Sequence, residues 1–264
     1  MPEARPLAVV TGASSGIGRE LARCCAADGY DLVIAADEPL IHDVAEELSR
    51  QGVCAIAVEA DLASAEGVEA LIAALEDRPV EMLLANAGRG LGDAFVNQDF
   101  GDIIRVVDTN ITGSLLLVHS VAAGMASRGR GRILFTGSIA GFIPGSYQAV
   151  YNASKAFIGS FSWALRNELK ESGVTVTCLM PGPTDTEFFA RADMEDTPLG
   201  ASGGKADAAK VARSGYYAMM EGKDGVVTGF SNKIQAAMAH VLPASMLAER
   251  HGRMAEPEGD TRSG

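Results

Sequence analysis

Tyr151 and Lys155 stand four residues apart in the stretch AVYNASKAF, residues 149–157, which otherwise consists of small or apolar side chains and one asparagine. On a helix, residues i and i+4 share a face, so a phenol and an ammonium at this spacing point into one small volume. A phenol near pKa 10 is a sluggish acid or base at neutral pH, and a cation one turn away stabilises its anion. Such a pair could pass a proton to or from an oxygen whose bonding is changing. An amphipathic helix whose lysine reaches back to water would show the same spacing, so the reading depends on residues elsewhere in the chain.

The second chemical signal is TGASSGIG, residues 11–18, with Gly12, Gly16 and Gly18 following a β-branched run and opening a helical one. Glycines there let the backbone turn tightly and approach a ligand, and the helix N-terminus offers free N–H groups to a pyrophosphate. The spacing is GxxxGxG, which differs from the general dinucleotide fingerprint GxGxxG. The same residues also spell G-x-S-x-G, the hydrolase elbow pattern with Ser14 as nucleophile. Few residues precede this first strand, and a hydrolase elbow needs an upstream oxyanion loop, so the dinucleotide reading is preferred. Asp37 falls 19 residues after Gly18, at the end of the next β-branched run. An acid at that distance accepts hydrogen bonds from a ribose diol and repels a 2′-phosphate, which favours NAD over NADP. No Arg or Lys occupies Ser14, Ser15, Asp37 or Glu38 to hold such a phosphate.

These groups need elements to position them. PLAVVT, DLVIAA, VCAIAVEA, EMLLAN, RILFTGS and VTVTCLM read as strands. Helical stretches lie between them at residues 18–27, 41–51, 65–75 and 153–171. That alternation predicts an α/β chain: a single-domain Rossmann fold, a doubly wound parallel sheet of about seven strands with helices on both faces. The expected domain spans residues 5–250. Residues 183–205, of mixed charge and without period, read as a lid or binding loop, and residues 251–264 as a disordered tail.

The chain's 264 residues are 47% hydrophobic and 21% charged, enough for one large core. Its net charge of −12 repels nucleic acid and anionic lipid, so neither is an expected partner. The N-terminus lacks a charged stretch followed by a long apolar one, which predicts a cytoplasmic protein. Residues 110–127 carry no charge, but His119, two glycines and four Ser or Thr residues make them a poor membrane span and a better buried helix. Cys24, Cys25, Cys54 and Cys178 form no CxxC and have no histidine at ligand spacing, so no metal site is expected.

Taken together these motifs resemble the short-chain dehydrogenase/reductase family, over residues 7–186. ANAG (residues 85–88) resembles that family's NNAG turn with Ala85 in the first position, and YxxxK is supplied by Tyr151 and Lys155. The resemblance implies cofactor contacts from Gly12, Ser14, Ser15, Gly16, Ile17, Gly18 and Asp37, from Asp61 and Leu62 of ADL, and from Asn86, Ala87 and Gly88. PGPTDT adds Pro181, Gly182, Thr184 and Thr186 along the nicotinamide. It further implies that Asn110, from TNITG, positions a water beside Lys155, and that Lys155 also bonds the nicotinamide ribose. Ser138, from GSIAG, would hold the substrate oxygen as an oxyanion donor. Tyr151 would be the proton donor or acceptor, its phenol lowered by Lys155 and by the positive nicotinamide.

The expected activity is hydride transfer between NAD, or NADP as the second choice, and a ketone or secondary alcohol. Phe188, Phe189, Met194 and Leu199 of the lid, with Ile139, Phe142 and Ile143, would make an apolar pocket, so the small-molecule substrate is expected to be hydrophobic. A dinucleotide-binding regulator without turnover is the alternative. The apolar helices at residues 111–125 and 153–169 favour a homodimer. A tetramer is doubtful, because DGVVTGF runs on into SNKIQAAMAHVLPASMLAERHG, which looks helical.

Overall fold

The computed structural model describes residues 5–201 and 203–256. Seven parallel strands form one sheet in the order β3-β2-β1-β4-β5-β6-β7. They are β1 (Leu7–Thr11), β2 (Asp31–Ala36), β3 (Ala55–Glu59), β4 (Val80–Ala85), β5 (Gly131–Thr136), β6 (Val174–Met180) and β7 (Gly225–Val227). Among the described residues ten α-helices connect and flank them: α1 (Gly16–Ala27), α2 (Leu40–Ser49), α3 (Ala65–Ala73), α4 (Phe100–Val107), α5 (Gly113–Arg128), α6 (Ala149–Leu169), α7 (Phe188–Arg191), α8 (Ala208–Met220), α9 (Phe230–Ala239) and α10 (Ala244–Ala255). The expected single-domain, doubly wound α/β architecture is what the chain adopts.

The alternation along β1 decides the layering, because successive side chains on a strand point to opposite faces. Ala8 and Val10 meet Leu21, Cys25, Val44, Leu48, Val211 and Tyr216 of α1, α2 and α8. Leu7 and Val9 meet Leu71 of α3, Leu117 and Met125 of α5 and Ile158 of α6. Each large aliphatic side chain fully buried this way contributes about 1.5–3 kcal/mol before entropy is counted.

The order of strands reverses direction between β1 and β4, which opens a crevice at their carboxyl ends. TGASSGIG follows β1 and the NAG turn follows β4, so the topology delivers both motifs to one place. The chain from Phe100 to Arg128 is long and apolar enough to cross a membrane by length and composition. Here it is a core element, with Leu117, Val118, Val121 and Met125 buried against the sheet.

Two boundaries differ from expectation. Helix α6 begins at Ala149, four residues before the expected start, because the non-helical Gln148 (φ −140°) sets its first turn just ahead of Tyr151. Helix α10 runs to Ala255, so the proposed tail starts too early: His251, Gly252 and Ala255 are buried against the lid and the loop before α6. Pro243 separates α9 from α10 in the segment read as helical. Residues 257–264 lie outside the described residues.

Candidate active site

A cavity of about 330 Å³ occupies the crevice, and every candidate cofactor or catalytic residue except Asn110 lines it. Its floor is the β1–α1 turn. Gly12 adopts φ 62°, a left-handed conformation that side chains resist, and a Cβ on Gly18 would stand 2.0 Å from the carbonyl oxygen of Gly12. Only glycine permits that packing, and it leaves the N-terminus of α1 open to a ligand. Thr11 and Asn86 tie the turn to β4: Thr11 Oγ1 accepts from the Asn86 and Ala87 amides at 3.0 and 2.9 Å. Asn86 Nδ2 donates to Thr11 O at 3.0 Å, and its Oδ1 accepts from Thr136 Oγ1 at 2.9 Å. The Asn86 side chain thereby locks the ends of β1, β4 and β5 together. These backbone features, the open helix end and the glycines that admit close approach, fit a dinucleotide pyrophosphate.

Ser138 follows β5 and caps the short turn after it, accepting from the Ala140 amide at 3.1 Å. Tyr151 and Lys155, in the first turns of α6, are both buried. Lys155 Nζ donates to Thr136 O at 2.9 Å and lies 5.8 Å from the centroid of the Tyr151 ring. Phe188 of α7 packs against that ring in a tilted arrangement, centroids 5.1 Å apart. Burial pushes the Tyr151 phenol up to about 12, against which a hydrogen bond with Ser138 acts. Burial likewise pulls Lys155 down to about 8, opposed by the nearby Cys178. In the protein by itself burial thus sets both groups, Tyr151 above and Lys155 below its ordinary value. The ammonium is directed at a carbonyl oxygen, and desolvation dominates both groups.

Asn110 sits in a π-helical turn, Asp108–Thr112, between α4 and α5. It bonds the backbone of Arg89 both ways, accepting at Oδ1 (2.7 Å) and donating from Nδ2 (2.9 Å), and donates to Ser154 Oγ at 2.8 Å. Those bonds hold the NAG turn against α6 and use both amide protons, so Asn110 supports the site from behind the cavity wall. A Cβ on Gly88 would stand 3.1 Å from Lys155 Nζ and 3.3 Å from Asn110 Oδ1, so glycine there lets the lysine through.

The end of the crevice beside Asp37 and Asp61 holds three arginines that sequence reasoning missed. Arg89 pairs with Asp37 at 2.7 Å, Arg105 with Asp61 at 2.8 Å, and Arg191 with Glu38 at 2.9 Å. Burial raises the Asp37 carboxyl, but the hydrogen bond and charge of Arg89 outweigh it and hold the group below its ordinary value. Asp37 does not cap α2, which starts at Leu40 after Pro39 and has no side-chain cap. Asp61 accepts from the Ala63 amide at 3.0 Å, while Ser64 caps α3. Arg89 directly follows the NAG motif and had a positional cue. Arg105 and Arg191 had none, since only tertiary folding brings α4 and α7 to the end of β2.

The segment expected to be a lid is pinned at its base, where Asp185 N donates to Ala206 O and Ala206 N to Pro183 O at 2.8 and 2.9 Å. Of the expected apolar pocket, Ile139, Ile143, Phe188, Phe189 and Leu199 line the cavity. Met194 does not: it is buried in a small core with Phe189, Ala192 and Ala255. Phe142 faces His240 instead, ring centroids 5.6 Å apart. Gln148, Gln235, His251 and Met254 join the lining unforeseen. Among the described residues no cluster of His, Cys, Asp or Glu could hold a metal ion. Ser14 meets Glu38, and the buried histidine, His251, is bound to Ser146, so no hydrolytic triad forms at the elbow-like turn.

The chain is similar to known proteins. The family model for short chain dehydrogenase matches residues 6–196. A putative ketoacyl reductase of Streptomyces coelicolor is 38% identical over 189 residues, 70% of this chain and 72% of that protein. The short-chain dehydrogenase from Sphingobium yanoikuyae, solved in complex with NADPH, superposes with a TM-score of 0.80 at 29% identity, covering 90% of this chain and 97% of that one. A short chain dehydrogenase/reductase from Burkholderia phymatum, solved with NAD, gives 0.79 at 27% identity, covering 89% and 93%. With the glycine turn, the NAG turn and the Ser-Tyr-Lys set on one crevice and the family model spanning most of the chain, this protein belongs to the short-chain dehydrogenase family of NAD(P)-dependent oxidoreductases.

Proposed function

We infer that the protein transfers a hydride between a nicotinamide dinucleotide, NAD in preference to NADP, and an apolar ketone or secondary alcohol. The observation that carries this reading is the convergence of Ser138, Tyr151 and Lys155 on the cavity that also contains the glycine turn. When bound, the nicotinamide ring supplies or takes up the hydride. Gly12, Ser14, Ser15, Gly16, Ile17 and Gly18 would hold the pyrophosphate, Asp37 the adenosine ribose, and Asp61 and Leu62 the adenine. Asn86, Ala87 and Gly88 would border the ribose, and Pro181, Gly182, Thr184 and Thr186 the nicotinamide. In the reductive direction Tyr151 gives its hydroxyl proton to the carbonyl oxygen while Ser138 donates a hydrogen bond to the same atom. Lys155 holds positive charge beneath the phenol as it ionises, and Asn110 keeps the NAG turn in place.

The preference for NAD rests on Asp37, whose carboxylate stays ionised at the end of β2. Replacing it frees the Arg89 guanidinium, so Asp37→Ser is expected to shift the ratio of kcat/KM toward NADPH by roughly ten- to a hundredfold, the worth of a charge-assisted hydrogen bond. Titration with NADH and NADPH, followed by melting temperature, tests the binding step, since a ligand of the folded state must raise stability. A larger rise with NADPH would sink the Asp37 argument, and no rise with either would sink the dinucleotide site.

Free Cys24, Cys25, Cys54 and Cys178 fit a reducing compartment such as the cytoplasm. Leu116 of α5 with Phe157 and Trp163 of α6, all exposed, fit a homodimer through that face.

A further inference from the structure

The far wall of the cavity is built by α10, a helix beyond the 6–196 match to the family model. Three bonds join α10 to the loop that leads into Tyr151. Ser146 Oγ donates to Ala248 O at 2.9 Å, Tyr147 Oη to Glu256 Oε1 at 2.9 Å, and His251 Nδ1 lies 2.9 Å from Ser146 O. The Leu199 amide of the lid also donates to Met254 O at 2.9 Å. Helix α10 is thus held against both the catalytic loop and the lid.

His251 is 4% exposed and lines the cavity, and it also borders a smaller crevice between α9 and α10. A carbonyl oxygen can only accept, so the contact with Ser146 O places the proton on Nδ1. Nε2 is left as a bare lone pair, and it has no hydrogen-bond partner among the described residues. An acceptor on a residue that lines the cavity is available to a donor on a bound ligand. Burial also lowers the pKa of His251, although the bond to Ser146 opposes that, so the ring is neutral and keeps its lone pair at physiological pH. Ile143, Gln235 and Met254 border the same small crevice as His251, Leu199 is bonded to Met254, and Phe188 stands 5.1 Å from the Tyr151 ring, so the lining these residues add to the cavity is apolar except for the Gln235 amide.

We propose that His251 is a specificity-determining residue whose Nε2 accepts a hydrogen bond from a hydroxyl on the substrate, held away from the reacting carbonyl by an apolar spacer. The substrate class is then a hydroxyketone or the corresponding diol, with one polar group at Ser138 and Tyr151 and the other at His251. This rests on the oxidoreductase reading above and adds the second polar end. The proton on the substrate hydroxyl stays on its oxygen, so His251 recognises and does not react.

The test measures kcat/KM with saturating NADH for straight-chain 2-ketones from pentanone to nonanone, and for the same ladder bearing a terminal hydroxyl. At one spacer length the hydroxyl is expected to raise kcat/KM roughly five- to tenfold, mostly through KM, as one added hydrogen bond would. His251→Asn retains an amide donor near the Nδ1 position for Ser146 and removes the atom at Nε2, so the advantage of the hydroxyl over the plain ketone should vanish. His251→Gln, whose amide reaches the Nε2 position, should recover part of it. A purely structural histidine would lower both ladders together and leave their ratio intact, which overturns the proposal. So does a parent enzyme that gains nothing from the hydroxyl at any length, or that reduces no member of either ladder. If the Asn variant does not fold, the ladder on the parent decides alone. A melting shift with NADH separates the two readings: ladder failure with the shift present removes only the role of His251, and loss of the shift removes the oxidoreductase reading as well.

Discussion

Tyr151 and Lys155 each suffer from their own burial, the phenol pushed up to about 12 and the ammonium down to about 8. A lysine in the unfolded chain stays charged to 10.5, whereas folded Lys155 stays charged only to about 8, so the unfolded state binds more protons between those values and stability rises with pH there. Without dinucleotide, the stability of the parent minus that of Lys155→Met is therefore expected to climb by about 1.4 kcal/mol per pH unit between pH 8 and 10. Below pH 8 the penalty is present in full. Denaturant melts at several pH values check this, and a flat difference would mean that Lys155 is better solvated than its surroundings imply. For Tyr151→Phe the hydroxyl is lost with little change of shape. Turnover should fall by roughly a hundred- to ten-thousandfold while the NADH melting shift persists, which single-substrate kinetics would show.

At the level of elements, the site is a meeting of strand ends. The β1–α1 turn must pass within touching distance of its own backbone, and Gly18 is the residue that allows it. Gly18→Ala forces a Cβ against the Gly12 carbonyl and is expected to cost about 1–3 kcal/mol and to abolish the NADH melting shift. A variant that melts and binds like the parent would show that the turn can relax. The lid and α10 form a second unit, with Phe189, Ala192, Met194 and Ala255 packed as a small core beside the cavity. Tyr147 adopts φ 62° between Ser146 and Gln148, a strained conformation kept by the contacts of this loop to α10.

Across the whole molecule, the sheet order places the crevice between β1 and β4 and leaves apolar side chains exposed on the outer helices. Ile104, Leu116, Phe157 and Trp163 are each about two-fifths exposed on α4, α5 and α6. A charge among these side chains should prevent self-association without touching the cavity. Phe157→Glu is expected to convert a dimer into a monomer in light scattering, with the melting shift on NADH retained. A parent that is itself monomeric would end the dimer reading.

What the sequence determined by itself is local or strictly ordered. Alternating β-branched and helical runs announce a parallel sheet because period and crossover length are written in consecutive residues. Gly12, Gly18, Asn86, Ser138, Tyr151 and Lys155 stand in recognisable short motifs next to those runs. The tertiary structure decided what depends on distant segments meeting. It paired Arg89, Arg105 and Arg191 with acids just after β2 and β3, and it turned Met194 and Phe142 away from the cavity. It also folded residues 251–255, polar enough to read as a tail, into the wall that carries His251. Charge pairing and burial are properties of three-dimensional neighbours, and no spacing along the chain encodes them when the partners lie about fifty or a hundred residues apart.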